Sequence, residues 1–179
     1  DETALERLGI PYTPRGIPVG ADGRTPAPGV WAVGDATGGM MLAHRAMQQG
    51  RALADRLFGA GLVLCDERAV PAVLYTHPNI ARVGLTEREA AAVGRDVEVV
   101  RSDYAANIMA RAEGVPAGFA KLLFDRGLLV GAAIAGETAG ELVAPLGLAI
   151  SAGLDRKALA NWILPHPSLS EILNVETGR

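Results

Sequence analysis

Gly118-Phe119-Ala120-Lys121-Leu122-Leu123-Phe124-Asp125-Arg126-Gly127-Leu128-Leu129-Val130-Gly131-Ala132-Ala133-Ile134 is the stretch that decides the fold. Two apolar runs, Phe119 to Phe124 and Leu128 to Ile134, flank Asp125-Arg126-Gly127. Turn residues between two strand-like runs read as a β-hairpin, and a hairpin makes its strands antiparallel. Upstream, Val97 to Arg101 reads as another strand. Ala72-Val73-Leu74-Tyr75 and Ile80-Ala81-Arg82-Val83 read as two more, flanking a Thr76-His77-Pro78-Asn79 turn. Helix starts are marked by capping boxes, in which a hydroxyl and a carboxylate three residues on satisfy each other's backbone amides. Thr86-Glu87-Arg88-Glu89 opens a helix ending at Gly94, and Thr138-Ala139-Gly140-Glu141 opens one running to about Gly153. Ser168-Leu169-Ser170-Glu171 is a third box near the end, after a short helix from Asp155 to Trp162. Strands and helices in groups predict an α+β domain: an antiparallel sheet with flanking helices, covering 68–179.

Residues 1–67 read differently. Leu5-Glu6-Arg7-Leu8-Gly9-Ile10 is a short amphipathic stretch, followed by a Gly/Pro-rich meander through Pro28. That is long for the opening of a compact domain, so the elements it packs on are expected outside this sequence. Gly29-Val30-Trp31-Ala32-Val33-Gly34-Asp35 reads as a buried strand ending in Gly-Asp, the pattern of an α/β sheet. Met41 to Phe58 reads as a helix with Leu42, Ala46, Leu53 and Leu57 on one face and Gly59 closing it in the left-handed conformation.

Composition narrows the function classes. The 179 residues are 49% hydrophobic and 21% charged, enough for a core in one domain, or in a small domain plus part of another. The net charge of -3 and the lack of a basic run argue against nucleic acid and anionic membranes as partners. No apolar stretch reaches the roughly 18 residues a membrane span needs, and the charged start, Asp1 to Arg7, has no signal-peptide pattern. Cys65 is the single cysteine, so an internal disulfide, a cysteine-pair redox centre and a thiolate metal site are excluded within this chain. A reducing cytoplasm is the expected compartment, and Cys65, in the apolar run Leu62-Val63-Leu64-Cys65, reads as an inert thiol. No repeat or low-complexity segment is present.

Two places carry candidate chemistry. Asp35, at the expected strand end, can accept hydrogen bonds from a ligand's hydroxyls in the crevice where open α/β sheets bind, or it can merely cap the turn. The helix that follows offers free amides and a positive dipole end to negative charge. In Pro165-His166-Pro167-Ser168-Leu169-Ser170-Glu171, the proline keeps His166 out of a helix, because a pre-proline residue avoids the α region. Glu171 can orient the imidazole and stabilise its charged form. Alternatively, Glu171 only completes the box with Ser168 and His166 is a surface loop residue. His77, in a His-Pro turn, reads as structural.

Pro28-Gly29-Val30-Trp31-Ala32-Val33-Gly34-Asp35-Ala36-Thr37 with Met41-Leu42-Ala43-His44 resembles the second FAD-binding motif of the pyridine nucleotide–disulfide oxidoreductases. The resemblance implies that Asp35 binds the ribityl chain and that Met41, Leu42 and Ala43 lie against the isoalloxazine. His44 falls in the same stretch, and a locally bonded first-turn histidine reads it equally well. The His166-Pro167-Ser168 to Glu171 string resembles the His-Pro-Thr-x-x-Glu motif of the lipoamide dehydrogenase and glutathione reductase branches, with serine in place of threonine. There the histidine is the acid/base catalyst for the dithiol and the glutamate pairs with it. Leu164-Pro165 stands where many lipoamide dehydrogenases have His-Ala. Val73-Leu74-Tyr75-Thr76-His77-Pro78, Val83-Gly84-Leu85-Thr86-Glu87 and the central hairpin resemble the family's interface domain in the right order.

The resemblance implies that 1–67 is the incomplete C-terminal segment of an α/β FAD-binding domain and 68–179 the interface, or dimerisation, domain. The chain is expected to form a two-fold homodimer through residues beyond about 68, and the parent would use FAD and NAD and act on lipoyl groups of 2-oxo acid dehydrogenase or glycine cleavage complexes. His166 would serve the partner subunit's site. A glutathione reductase-like sibling and a dimerisation module without ligand are the alternatives, and a mercuric reductase fits less well. No G-x-G-x-x-G and no C-x-x-x-x-C occur, so the first dinucleotide fingerprint and the redox disulfide are not in this chain. By itself the chain is therefore expected to be colourless and without dihydrolipoamide–NAD turnover. Stoichiometric flavin absorbance, or any turnover by the purified chain, would refute this.

Overall fold

The computed structural model describes residues 2–175; Asp1 and residues 176–179, the outer ends of the two expected domains, lie outside the described residues. The chain divides into two compact units, Asp1–Glu67 and Arg68–Arg179.

The first unit contains helix α1 (Glu2–Arg7), a 3-10 turn (Gly34–Thr37) and helix α2 (Ala43–Phe58). The expected strand from Gly29 to Asp35 is not formed. Its only ladder contact is an isolated antiparallel bridge between Trp31 and Arg24, and Val30 to Val33 are half-buried. A parallel strand needs neighbours on both edges to satisfy its backbone, and none is present among the described residues of this unit. The N–H groups of Thr25 and Ala32 instead reach single carbonyls, those of Val30 and Gly23. Helix α2 starts at Ala43, two residues later than expected, after Leu42 in an extended conformation. Its expected apolar face is only partly covered: Leu57 is exposed, and the one buried residue of the helix is Arg45. Gly59 is extended (φ -116°), not left-handed, because its N–H bonds to the Asp55 carbonyl while the Asp55 carboxylate takes the N–H groups of Ala60 and Val63. Burial, followed by the Glu67 charge, pushes the half-buried Cys65 thiol up, which disfavours the reactive thiolate.

The second unit is built on a five-stranded antiparallel sheet. Its strands are β1 (Ala72–Leu74), β2 (Asn79–Gly84), β3 (Glu98–Asp103), β4 (Phe119–Asp125) and β5 (Leu128–Gly136), in the order β1-β2-β5-β4-β3. The β4–β5 hairpin forms where the sequence puts it. Asp125 pairs with Leu128, leaving Arg126 (φ 49°) and Gly127 (φ 82°) as a two-residue loop with both φ values positive, the geometry that matches strand twist. A register shift at Leu123/Phe124 follows. Helices α3 (Glu87–Ala92) and α4 (Ile108–Ala112) lie between strands, and α5 (Ala139–Ser151) and α6 (Arg156–Ala160) follow β5. The first capping box is complete: Thr86 Oγ1 accepts from Glu89 N–H at 3.1 Å, and the Glu89 carboxylate accepts from Thr86 N–H at 2.8 Å. The second is not a capping box. Thr138 sits in the left-handed region (φ 55°) and its side chain does not cap the helix, because the chain turns sharply out of β5 there.

Helix α5 packs on β2 and β5. The sequence suggests apolar residues on two of its sides, one for the sheet and one for a partner. Leu142, Val143, Leu146, Ala149 and Ile150 are in fact all buried within the chain, while Ala144 and Leu148 are exposed. The helix is wide-faced because the sheet face beneath it, which carries Val83, includes the small residues Ala81 and Ala132 and lets it sink in. Tyr104, fully buried, donates to the Glu137 carbonyl at 2.7 Å, and burial raises its phenol to about 12. A Cβ on Gly136 would lie 2.3 Å from the Tyr104 ring. Gly136→Ala should therefore destabilise this unit by more than the about 1 kcal/mol expected for losing a helix cap in Thr86→Ala. Urea unfolding of the two variants checks it, and equal midpoints would show that the ring moves aside freely.

Candidate active-site segments

In the first unit Asp35 is exposed on the 3-10 turn, at the mouth of the loop leading into α2. Its backbone carbonyl accepts the Gly38 N–H at 3.0 Å. Met41, Ala43 and His44 are exposed and Leu42 is half-buried. The first bond of α2 is from Ala46 N–H to the Leu42 carbonyl at 3.0 Å, which puts the N–H groups of Ala43, His44 and Arg45 ahead of the helical ladder. The same segment thus carries an exposed carboxylate and a set of amide donors. The carboxylate can accept from hydroxyls, and the donors can hold oxygen or nitrogen atoms that carry negative charge.

In the second unit, His166 and Glu171 meet. Nδ1 of His166 lies 2.9 Å from Oε1 of Glu171, while Oε2 accepts the Ser168 N–H at 2.9 Å. One carboxylate therefore both holds the ring and closes the start of the 3-10 turn Leu169–Leu173. The Ser168 hydroxyl donates to the Pro165 carbonyl at 2.6 Å, tightening the His166-Pro167 elbow from the other side. The turn is anchored from below by Ile172, Leu173 and Val175, all buried in the sheet's core. The His166 side chain keeps 70% of its surface exposed against 29% for Glu171. The Glu171 carboxyl is held below its ordinary value, first by the Ser168 N–H and then by the bond to His166. An ionised carboxylate only accepts, so Nδ1 is the donor and Nε2 carries the lone pair of the neutral ring.

Comparison with known proteins follows this division. Residues 70–176 match the family described as pyridine nucleotide-disulphide oxidoreductase, dimerisation domain, and residues 1–50 match pyridine nucleotide-disulphide oxidoreductase. The chain belongs to the pyridine nucleotide–disulfide oxidoreductase family. Among its relatives is a dihydrolipoyl dehydrogenase from Chlorobaculum tepidum, 39% identical over 175 residues, which are 96% of this chain and 37% of that protein. Another, from Halobacterium salinarum, is 43% identical over 152 residues, 84% of this chain and 32% of that protein. Among solved structures of the family, LpdA from Mycobacterium tuberculosis has a TM-score of 0.87 at 30% identity, covering 94% of this chain and 38% of its own. The HOCl-induced flavoprotein disulfide reductase RclA from Escherichia coli has 0.82 at 31%, covering 94% and 40%. The chain spans about 37% of the length of the first of these relatives.

Several residues that shape these segments escape a reading along the sequence. Asn107, buried, donates from Nδ2 to the Ser168 carbonyl at 3.0 Å and caps α4 through Ala110 N–H at 3.0 Å. An Asn before an apolar helical run is a legible cap, but its bond to a residue 61 positions away is not. Arg45 and Gln49 each bond to Glu67 and to the loop carrying Asp35; they are one helical turn apart, which is the only local signal. The Thr76-His77-Pro78-Asn79 turn is closed by Thr76 and Asn79, bonding to the Pro78 and Thr76 carbonyls. Among the described residues no group of His, Cys, Asp or Glu could hold a metal, and no helix is long and apolar enough to cross a membrane.

A depressed carboxyl stabilises its contacts above its unfolded value, and that contribution is lost as pH falls through the folded value. The Glu171–Ser168 and Glu171–His166 bonds should therefore be intact at neutral pH and dissolve only below the ordinary carboxyl value of 4.5. Carboxyl-carbon NMR titration of Glu171 should show a midpoint below 4.5, and a midpoint at or above it would mean the contact does not form.

Proposed function

We propose that this chain supplies the end of the FAD-binding domain and the interface domain of a dihydrolipoyl dehydrogenase. In that reading the whole enzyme is a cytoplasmic homodimer that oxidises dihydrolipoyl groups of 2-oxo acid dehydrogenase or glycine cleavage complexes and passes the electrons by way of a redox disulfide and FAD to NAD. The observation that carries it is the His166–Glu171 pair: an exposed imidazole with Nδ1 fixed and Nε2 open.

A dithiol attacks a disulfide as its thiolate, so the reaction needs a base near neutral pH. His166 Nε2 takes the thiol proton. Glu171, ionised and fixed by Ser168, holds the ring's orientation and stabilises the imidazolium that results. The proton leaves from the same Nε2 when the product departs. The high exposure of the ring is what a base needs if the rest of its site comes from the partner subunit. Asp35 would hold the ribityl hydroxyls, and the amides at the start of α2, with Met41, Leu42 and Ala43 around them, would face the ring's electron-rich edge; His44 lies in the same turn. The donor and acceptor set fits a flavin: a carboxylate for hydroxyls, amides for ring oxygens and nitrogen. Bound FAD supplies two-electron acceptor chemistry that no side chain offers. The similarity to RclA keeps a sibling disulfide reductase as the second reading. A dimerisation module without ligand would have no use for an exposed, oriented imidazole.

In the full-length enzyme, His166→Ala should lower dihydrolipoamide oxidation about 100-fold or more, while NADH-to-dye transfer survives. Glu171→Gln should lose less. Steady-state assay of both reactions decides, and equal loss of both on His166→Ala would make the histidine structural. Substitution of glutathione for dihydrolipoamide as the better substrate would favour the sibling reading.

A further inference from the structure

Gly38 and Gly39, both with φ +73°, lie between Asp35 and α2. A Gly-Gly segment has little steric preference, so its peptide planes can face either way. In this chain they face one way, and a buried cation is the reason. Arg45, 8% exposed, donates from Nη1 to the carbonyls of Gly38 (3.0 Å) and Met40 (3.1 Å). Its Nε donates to Glu67 Oε2 at 2.7 Å. The other Glu67 oxygen accepts Gln49 Nε2 at 2.7 Å, and Gln49 Oε1 accepts the Gly34 N–H at 2.7 Å. The loop is thus held near both ends by residues of α2 that share one carboxylate.

The consequence follows from peptide geometry. In a trans peptide, the carbonyl of one residue and the N–H of the next point in opposite directions. The cis bonds in the described residues are only His77–Pro78 and His166–Pro167, so those after Gly38 and Met40 are trans. With both carbonyls turned onto Arg45, the Gly39 and Met41 N–H groups are turned away from it. Both residues are exposed, and neither amide donates a hydrogen bond among the described residues. Flipped the other way, the same peptides would present carbonyl oxygens where they now present N–H groups, and would repel any electron-rich group.

We propose that Arg45 is a positioning residue for the flavin: with Glu67 and Gln49 it locks the Gly34–Met40 loop so that the Gly39 and Met41 N–H groups add to the donor array of α2. This deepens the flavin reading above and rests on it. Arg45 is buried, so it acts through the loop. A merely structural cation would leave the flavin's own properties untouched.

The test uses the full-length enzyme with Arg45→Met and Arg45→Lys. Apoenzyme reconstitution gives the FAD dissociation constant, and the visible spectrum reports the ring's surroundings. Arg45→Met should weaken FAD by about tenfold or more and shift or broaden the flavin band. Arg45→Lys, which keeps the charge but cannot fork to both carbonyls and Glu67, should fall between. Should Arg45→Met fail to fold, Glu67→Gln, which keeps one of the two acceptor roles, should show the same intermediate loss. Folded Arg45→Met enzyme with wild-type FAD affinity and spectrum overturns the proposal. Amide exchange on the 179-residue chain tests the lock without flavin: Gly34 should exchange slowly and Gly39 and Met41 fast, with Gly34 becoming fast in Gln49→Met. Equal rates for Gly34 and Gly39 in the unmodified chain would mean the lock does not form. Slow Gly34 exchange in a parent that binds no flavin would instead overturn the flavin reading and, with it, the role given to Arg45.

Discussion

Everything the second unit presents to solvent depends on the burial of one strand. β5 lies between β2 and β4, and Leu129, Ala132 and Ile134 along it are almost fully covered. Ala132, on the side of β5 that carries α5, lets the helix settle close, and α5 in turn closes over Val83 and the rest of the cluster. The last described residues join the same core through Ile172, Leu173 and Val175. That burial makes the His166 elbow a fixed structure rather than a tail. With the three apolar side chains seated, the 3-10 turn between them has one place for Glu171.

The two candidate segments solve the same physical problem with opposite charges. Each must hold an exposed polar group still without surrounding it. At His166 this is done by a carboxylate shared between the ring and the Ser168 N–H, so ring orientation and turn closure are the same interaction. In the first unit it is done by a guanidinium shared between two loop carbonyls and Glu67. In both cases a charged group makes several short bonds at once. Bonds to charged groups are stronger than neutral ones, and geometric specificity grows with their number. The exposed partner can then stay free to meet something else.

What composition and spacing made legible is where chemistry is local. The hairpin around Arg126-Gly127, the Thr86–Glu89 box and the approach of Glu171 to Ser168 are settled within a few residues, so sequence neighbours decide them. The same reading failed where a pattern was locally right and globally overruled. Thr138-Ala139-Gly140-Glu141 has the letters of a capping box, but the exit from β5 forces Thr138 into a left-handed turn. Gly29 to Asp35 has the letters of a buried strand, yet an extended run becomes a strand only when a neighbour takes its hydrogen bonds.

The sequence by itself determined the antiparallel class of the second unit, the box formed by Ser168 and Glu171, and the pattern that places the chain in its family, because each is written in short runs of neighbouring residues. Only the tertiary structure decided which way the Gly38 and Met40 carbonyls face, that α5 spends nearly all its apolar residues on its own sheet, and that Asn107 reaches Ser168. Those depend on contacts between residues far apart in the chain. Such contacts are selected by how the core closes, and local spacing does not encode that closure.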